Sequence, residues 1–535
     1  MKWKVGFFIV SLFFTACSEQ YNNNELTIFR YNESAGISTL DPIFARDQAT
    51  IWATNQLFNG LVQLDNDLNV IPSIAKNWHI SDDALVYTFS LRNDVLFHDD
   101  KLFNNGKGRK VIAEDFAYSF NRLLDKNLAA PGAWVLSNVR SFKAESDSTF
   151  KIELKNPFPA FLSLLSMQYC SVVPREIIEA RDFNRQPIGT GPFQFQLWQD
   201  GVKLVFRKNP NYFERELGKR LPFLDAIAIT FIKDKQSAFL QFIQGRLDFI
   251  SGIDASYKDE ILTITGDLQE KYKEKVILQS QPYLNTEYLG FLMEEPLPLK
   301  IRQAINYGFN RVKMLKYLRN NIGTPANQGV IPMGLPSFSE KLNGYSYNPK
   351  RARQLVTEAK SENGFDTDKE IILSTTSSYL DLCEYIQNQL QDIGLTVRVE
   401  VSPSSTHRQM VATSKLNFFR GSWIADYPDA ENYLSLFYSK NFCPNGPNYT
   451  HFKNKEFDLL YEKALSETNI ETRCAYYQQM DILIIESAVV VPLYYDSVLR
   501  FTNKNITGFE SNAMNLLDLK RVRKEMENYS TNYTK

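Results

Sequence analysis

The chain has 535 residues, more than one hydrophobic core organises, so about two to four domains are expected. Its 60 Lys and Arg stand against 61 Asp and Glu, a formal net charge of −1, which offers no positive field to a phosphate backbone and argues against nucleic acid as a partner. A hydrophobic share of 44% and a charged share of 23% are those of an ordinary globular chain, neither disordered nor membrane-embedded.

Lys2 and Lys4, the apolar run Val5–Phe14 and then Thr15-Ala16-Cys17 follow each other in the order of a secretory signal. The apolar run is too short for a spanning helix, which needs ~20 residues. Phe14 to Cys17 resembles the bacterial lipobox, with Phe14 where Leu is commoner and Thr15 where Ala or Ser is commoner. That resemblance implies a lipoprotein signal over residues 1–17, lipidation of Cys17, and contact with the membrane through a lipid anchor only.

Further along, Leu85, Tyr87, Phe89 and Leu91 alternate and predict a strand over Asp83–Leu91. Phe116, Phe120 and Leu123 or Leu124 share a helical face over Ile112–Leu124, and Phe150, Ile152 and Leu154 follow a turn as half of a hairpin. Strands over Ala226–Phe231 and Leu247–Ile250 flank a short helix, Gln236–Gln244, that Gly245 can end. Ile301, Ala304, Ile305 and Phe309 predict one long amphipathic helix over Leu299–Leu318, and Asn348-Pro349 opens another. The clearest unit is a βαβ crossover: strand Glu370–Ser374, a helix through Leu382, Ile386, Leu390 and Ile393 ended by Gly394, and strand Leu395–Val401. Val489–Tyr494 reads as a strand buried on both faces. With no repeat and no low-complexity linker, the domains are expected to be joined by strands that cross between them.

Motifs that carry chemistry are scarce. No P-loop occurs, so any ATP hydrolysis belongs to a partner. His79, His98, His407 and His451 are far apart, and without a CxxC pair or Cys/His cluster neither a metal site nor a cofactor is expected. His98-Asp99-Asp100 reads as a solvent-exposed run beside a turn. Cys170, Cys383, Cys443 and Cys474 are left open between buried free thiols and two bridges.

Several spaced segments resemble family 5 of the bacterial extracellular solute-binding proteins, the oligopeptide and dipeptide binding proteins of ABC importers. They are STLDP (Ser38 to Pro42), LFNGLVQLD (Leu57 to Asp65), IAKNWHISDDALVYTFSLRNDVLFHD (Ile74 to Asp99), VIAEDFAYSFNRLL (Val111 to Leu124), GTGPF (Gly189 to Phe193), RKNPNYF (Arg207 to Phe213), IRQAINYGFNR (Ile301 to Arg311), IPMGLPSF (Ile331 to Phe338) and SWIADYPDAENYL (Ser422 to Leu434). The resemblance implies an α/β, two-lobed periplasmic-binding-protein fold of class II type, with an additional α+β domain inserted in the first lobe. Lobe one would comprise residues 22–50, 185–285 and 493–535, the inserted domain 51–184, and lobe two 286–492.

It also implies a monomeric binding protein, not an enzyme, which captures a peptide ligand and delivers it to an ABC transporter permease with separate ATPase subunits. A peptide of arbitrary sequence is constant only in its backbone, so protein strands can add it as a further strand. By resemblance those strands are Gly36-Ile37-Ser38 and Ser422-Trp423-Ile424, and Asp426 receives the ligand's α-ammonium. Trp423 would flank a side-chain pocket or serve as a core tryptophan, and Arg420 would meet the peptide carboxylate or stand as an exposed arginine. Asn310 replaces a commoner Asp, and Ala430 a commoner Pro. The same fold could carry a nickel complex, haem, an oligosaccharide or an opine, and a secreted peptide hydrolase or a sensor subunit are the readings from other classes.

Overall fold

A computed structural model describes residues 26–254, 256–367 and 369–525. The signal segment and Cys17 lie outside the described residues. Two long antiparallel strands, Val276–Phe291 and Val490–Asn503, form the spine of an eleven-stranded sheet. On one flank follow Phe249–Ser251, Ile28–Asn32, Ala226–Thr230, Lys203–Lys208 and Phe193–Gln199; on the other lie Phe418–Ile424, Ile371–Thr375 and Val397–Val401. The spine pairs from Val276 opposite Asn503 to Gly290 opposite Val490, and its register slips between Pro282 and Thr286. Proline has no N–H to give the ladder, so the pairing breaks there. On either side of the break the sheet packs different cores: one gathered from the N-terminal third and the last described residues, the other from residues 284–494. The result is a two-lobed α/β fold whose lobes share the two spine strands.

A separate four-stranded antiparallel sheet, ordered Ala75–Ile80, Val86–Leu91, Thr149–Leu154, Val139–Ser146, belongs to the first lobe's side. Tyr87, Phe89, Leu91, Phe150, Ile152 and Leu154 all face inward, and Phe116 and Phe120 of the helix Ala113–Leu124 pack against Phe150, the first tilted and the second edge-on. Each fully buried side chain of this size contributes roughly 1.5–3 kcal/mol. This core is continuous with that of the first lobe. The join is also ionic: Asp41 of the STLDP segment, wholly buried, pairs with Arg122 of that helix. The helix Gln48–Leu57 runs straight across the boundary expected between residues 50 and 51.

The βαβ crossover is present: Ile371–Thr375 runs parallel to Val397–Val401, with the helix Leu380–Gln391 between them and Gly394 at φ 87°. Leu299–Leu318, by contrast, is not one helix. It is Leu299–Gly308 and Arg311–Leu318, separated at Phe309 and Asn310. Asn310 caps the second helix, its side-chain oxygen accepting from the Lys313 N–H at 3.0 Å; Asp would cap equally well, which explains why Asn is tolerated there. His98 also departs from expectation. It is buried, its Nε2 lying 3.0 Å from the Gly191 carbonyl while its Nδ1 accepts from the Gly189 N–H at 3.3 Å. Burial pulls its pKa down to about 4, so it stays neutral. A Cβ on Gly189 would meet the Leu57 carbonyl oxygen at 2.0 Å, so the GTGPF segment is glycine-rich for close packing. The four described cysteines are free thiols. Among the described residues no helix is long and apolar enough to cross a membrane.

Candidate functional site

Where the two lobes face each other lies a cavity of about 310 Å³. One wall is Ala45, Arg46, Gln48, Ile51 and Trp52, from the start of helix Gln48–Leu57; a second is Ser163 to Tyr169; the third is Ile424 to Pro428 with Tyr283, closed by Met514 to Leu516. Four aromatic rings, Trp52, Tyr169, Tyr283 and Tyr427, line it with polar tips and apolar faces. Trp52 is fixed by its indole N–H donating to the Asn515 carbonyl at 2.7 Å, and the Arg500 guanidinium lies 5.4 Å from its ring. Tyr427, from the second lobe, reaches into the first lobe's core beside Trp134 and Phe158.

The strand Phe418–Ile424 carries the third wall. One edge pairs with the spine from Phe418 to Ile424, while the other meets Ile371–Thr375 only at Phe419. Residues Gly421 to Ile424 thus offer one strand edge with no strand partner. The chain then turns at Ala425 to Pro428, and Asn432 holds the turn. Its Oδ1 accepts from the Trp423 indole at 2.9 Å and from the Asp426 N–H at 3.0 Å, and its Nδ2 donates to the Asp426 carboxylate at 3.4 Å. That amide is the carboxylate's one hydrogen-bond partner, and no cation pairs with Asp426 among the described residues. Asp426 is exposed to the cavity, and the surrounding walls take away part of its hydration. Lost hydration raises its pKa above the usual carboxylate value, with the Asn432 amide working the other way. Arg46, on another wall and exposed, likewise has no ion pair among the described residues.

Arg420, six residues before Asp426, is placed differently. Its guanidinium pairs with the buried Glu287 and lies 3.4 Å from the centre of the Tyr379 ring. Alongside, Arg319 meets Asp496 at 3.3 Å, and Asn285 donates to both Glu287 and Asp496. Two cations thus face two carboxylates at the register break of the spine. Burial raises the Glu287 pKa, opposed by Arg420. Burial alone would lower the Arg420 pKa, but Glu287 together with Tyr379 and Tyr494 offsets it, so it ends raised. Arg420 is therefore neither an exposed arginine nor a cation with its charge uncompensated.

Of the residues singled out in the sequence, Ile424 and Asp426 line the cavity; Trp423 packs behind them, its N–H spent on Asn432. Ser422 is half-buried on the free-edged strand. Gly36-Ile37-Ser38 is not a strand: it follows the turn at Ser34 and Ala35, with Gly36 at φ 76° donating to the Glu33 carbonyl, Ile37 against the first lobe's core and Ser38 exposed. None of the three lines the cavity. The sequence reading missed Arg46, Trp52, Tyr169 and Tyr283; the two tyrosines had no signal beyond the 27 Tyr of the chain, which any core could also use, and Arg46 and Trp52 had none.

The family described as bacterial extracellular solute-binding proteins, family 5 middle, matches residues 69–442. Heme-binding protein A of Haemophilus influenzae is 28% identical over 482 residues, 85% of each chain. Glutathione-binding protein GsiB of Salmonella choleraesuis is 27% identical over 483 residues, 89% of this chain and 90% of its own. The solved structure of the ABC transporter-associated periplasmic binding protein DppA of Helicobacter pylori, in complex with the peptide STSA, has a TM-score of 0.75 at 24% identity and covers 93% of this chain and 98% of its own.

Proposed function

Because the chain belongs to family 5 of the bacterial extracellular solute-binding proteins, we propose that it captures short peptides between its lobes and hands them to an ABC transporter permease. The observation that carries this reading is Asp426, a carboxylate in the interlobe cavity with no cation partner among the described residues, placed at the end of a strand with no further strand paired along Gly421 to Ile424. A peptide laid along Gly421 to Ile424 would have its N–H and C=O groups met by main chain, and its ammonium would neutralise Asp426. Arg46 across the cavity suits the carboxylate of the same ligand. A volume of about 310 Å³ lies at the lower end of ligand pockets, about 300–1,000 Å³, which favours a few residues over a rigid macrocycle such as haem. Glutathione, the namesake ligand of one relative, is itself a tripeptide with a free amine. The two strand crossings near Pro282–Thr286 and Tyr495–Ser497 would serve as the hinge, and Cys17 as the lipid anchor that holds the protein outside the cytoplasm.

Ligand-induced melting shifts test the reading. Short peptides with free amino termini should stabilise the protein by about 2.7 kcal/mol at a hundred times Kd, and their N-acetylated forms should do so much less. Stabilisation by haem or a nickel complex with none by any peptide would overturn it. For the anchor, an acyl mass on Cys17 is expected, and a fully unmodified mature N-terminus would refute it.

A further inference from the structure

Away from the cavity, four side chains that the chain brings from distant positions meet on the second lobe. Cys443 Sγ lies 3.3 Å from His451 Nε2 and 3.1 Å from Ser414 Oγ, and Ser414 Oγ lies 3.0 Å from the same His451 Nε2. His451 Nδ1 is 2.7 Å from the Glu294 carboxylate. The Phe442 ring stacks on the imidazole, 4.5 Å between centres and 5° from parallel. Ser414 and His451 both have positive φ, 54° and 52°, a conformation uncommon for residues other than glycine. No local spacing announces this cluster, since its members are Glu294, Ser414, Cys443 and His451.

The order carboxylate, imidazole, hydroxyl or thiol is that of an activated nucleophile. Acyl transfer, however, also needs free donors for a developing oxyanion. Three of the main-chain N–H groups beside the cluster are spent: Ser414 N–H donates to Val411, Lys415 N–H to Met410 and Cys443 N–H to Asn448. Exchange between a thiol and a disulfide needs no oxyanion site, only a thiolate and a proton acceptor. Among the described residues the other three thiols lack an imidazole. Burial pushes Cys383 up to about 11, raises Cys170 much further, and raises Cys474. Cys443 is itself mostly covered, but Pro444 and Asn445 beside it are exposed and the Glu294 side chain is 60% exposed, so the cluster sits just beneath the surface.

We propose that Cys443 is a thiol-exchange site for small-molecule disulfides, with His451 as its base and Glu294 as the group that orients the imidazole. His451 Nε2 takes the thiol proton; the thiolate attacks one sulfur of the disulfide, the Cys443 Sγ–S bond forms, the S–S bond breaks, and the leaving thiolate recovers the proton from the imidazolium. Electrons balance within the exchange, and no other oxidant is needed. The Tyr449 phenol also faces Cys443 and stays neutral.

The test uses the whole reduced protein and dithiobis(nitrobenzoate), a disulfide that releases a coloured thiolate, with the labelled residue identified by peptide mass spectrometry. At neutral pH Cys443 should label first, about tenfold faster than the more exposed Cys474. Cys443→Ser should abolish the fast phase, His451→Gln should slow it about tenfold, and Glu294→Gln, a change at an exposed side chain, should slow it less while leaving circular dichroism unchanged. Cystine should leave a mixed disulfide on the same residue. Labelling of Cys474 ahead of Cys443, a fast phase that survives Cys443→Ser, or an unchanged rate in both His451→Gln and Glu294→Gln would overturn the proposal.

Discussion

Arg420 and Asp426 stand on one short stretch of chain, yet the protein treats their charges in opposite ways. Arg420 lies at the register break of the spine with Glu287, Arg319 and Asp496 around it, two positive groups against two negative ones, and Tyr379 beneath its guanidinium. Asp426 has one amide at 3.4 Å and an open cavity. A charge shut away from water costs free energy unless protein groups meet it, whereas Asp426, exposed to the cavity, keeps part of its solvation until a ligand arrives. Internal balance therefore marks scaffold, and imbalance beside a cavity marks the place of a ligand.

The largest expected effect tests the scaffold half of this contrast. Arg420→Ala leaves Glu287, only 3% exposed, without its cation, and should destabilise the protein by roughly 3–5 kcal/mol, read as a lowered melting temperature. A variant as stable as the wild type that has lost its preference for peptides with a free carboxylate would show the contrast to be drawn wrongly. Asp481 sharpens it from the other direction. This carboxylate also has no cation, but it is enclosed, accepting from the Val330 and Ile331 N–H groups at 2.8 and 3.4 Å, and burial pushes its pKa up to about 7. Because the folded value lies above the unfolded one, near 3.9, the contribution of Asp481 to stability is full below about pH 4 and is lost as pH rises towards and through 7. The loss at alkaline pH is on the order of 4 kcal/mol. Asp481→Asn should remove that decline and leave ligand binding unchanged, since Asp481 does not line the interlobe cavity; equal melting-temperature profiles for variant and wild type across this range would contradict the assignment.

How much of this was legible beforehand follows from which interactions are local. The strand through Tyr87, Phe89 and Leu91, the βαβ unit and the Asn348 cap were readable because period and capping lie within a few residues. The break at Phe309 was not, since Ile301, Ala304 and Ile305 carry the same helical spacing into it. The strand at Val489–Tyr494 was seen, but its continuation to Asn503 was hidden by Asp496, Ser497 and Arg500, whose partners come from other elements. At the site, resemblance pointed to Asp426, which does line the cavity. Arg420 could not be judged from sequence, because Glu287 lies 133 positions away. Arg46 gave no periodic or motif signal at all.

The ligand half of the contrast predicts a smaller effect. Asp426→Ala should weaken a free peptide by about 1.5–3 kcal/mol, the worth of a charged hydrogen bond, or about one to two decades in Kd. N-acetylation should do the same to the wild type, and the two losses should not add. The pH profile follows from the raised pKa of Asp426. Binding of an ammonium needs the ionised carboxylate, so affinity falls as pH drops through that raised value, and falls again above about pH 8, where the peptide amine loses its proton. Equal calorimetric affinities for free and acetylated forms of one peptide would remove Asp426 from the site.

Arg46 makes the finest test, because it is exposed and an exposed ion pair contributes no more than about 1 kcal/mol, a factor of about five. If its guanidinium takes the far end of the ligand, the wild type should prefer a short peptide acid over its C-terminal amide by up to that factor, and Arg46→Ala should abolish the preference while leaving the N-acetylation effect intact. The preference should also depend on length: each added residue carries the carboxylate up to ~3.3–3.6 Å further along an extended chain, so it should fade once the peptide outgrows the cavity. Contacts at opposite ends of one ligand share no partner, so the effects of Asp426→Ala and Arg46→Ala should add. An acid-over-amide ratio that survives Arg46→Ala but is lost in Arg420→Lys, a variant that keeps a cation beside Glu287, would return the carboxylate to Arg420 and show that the balanced cluster opens when ligand binds.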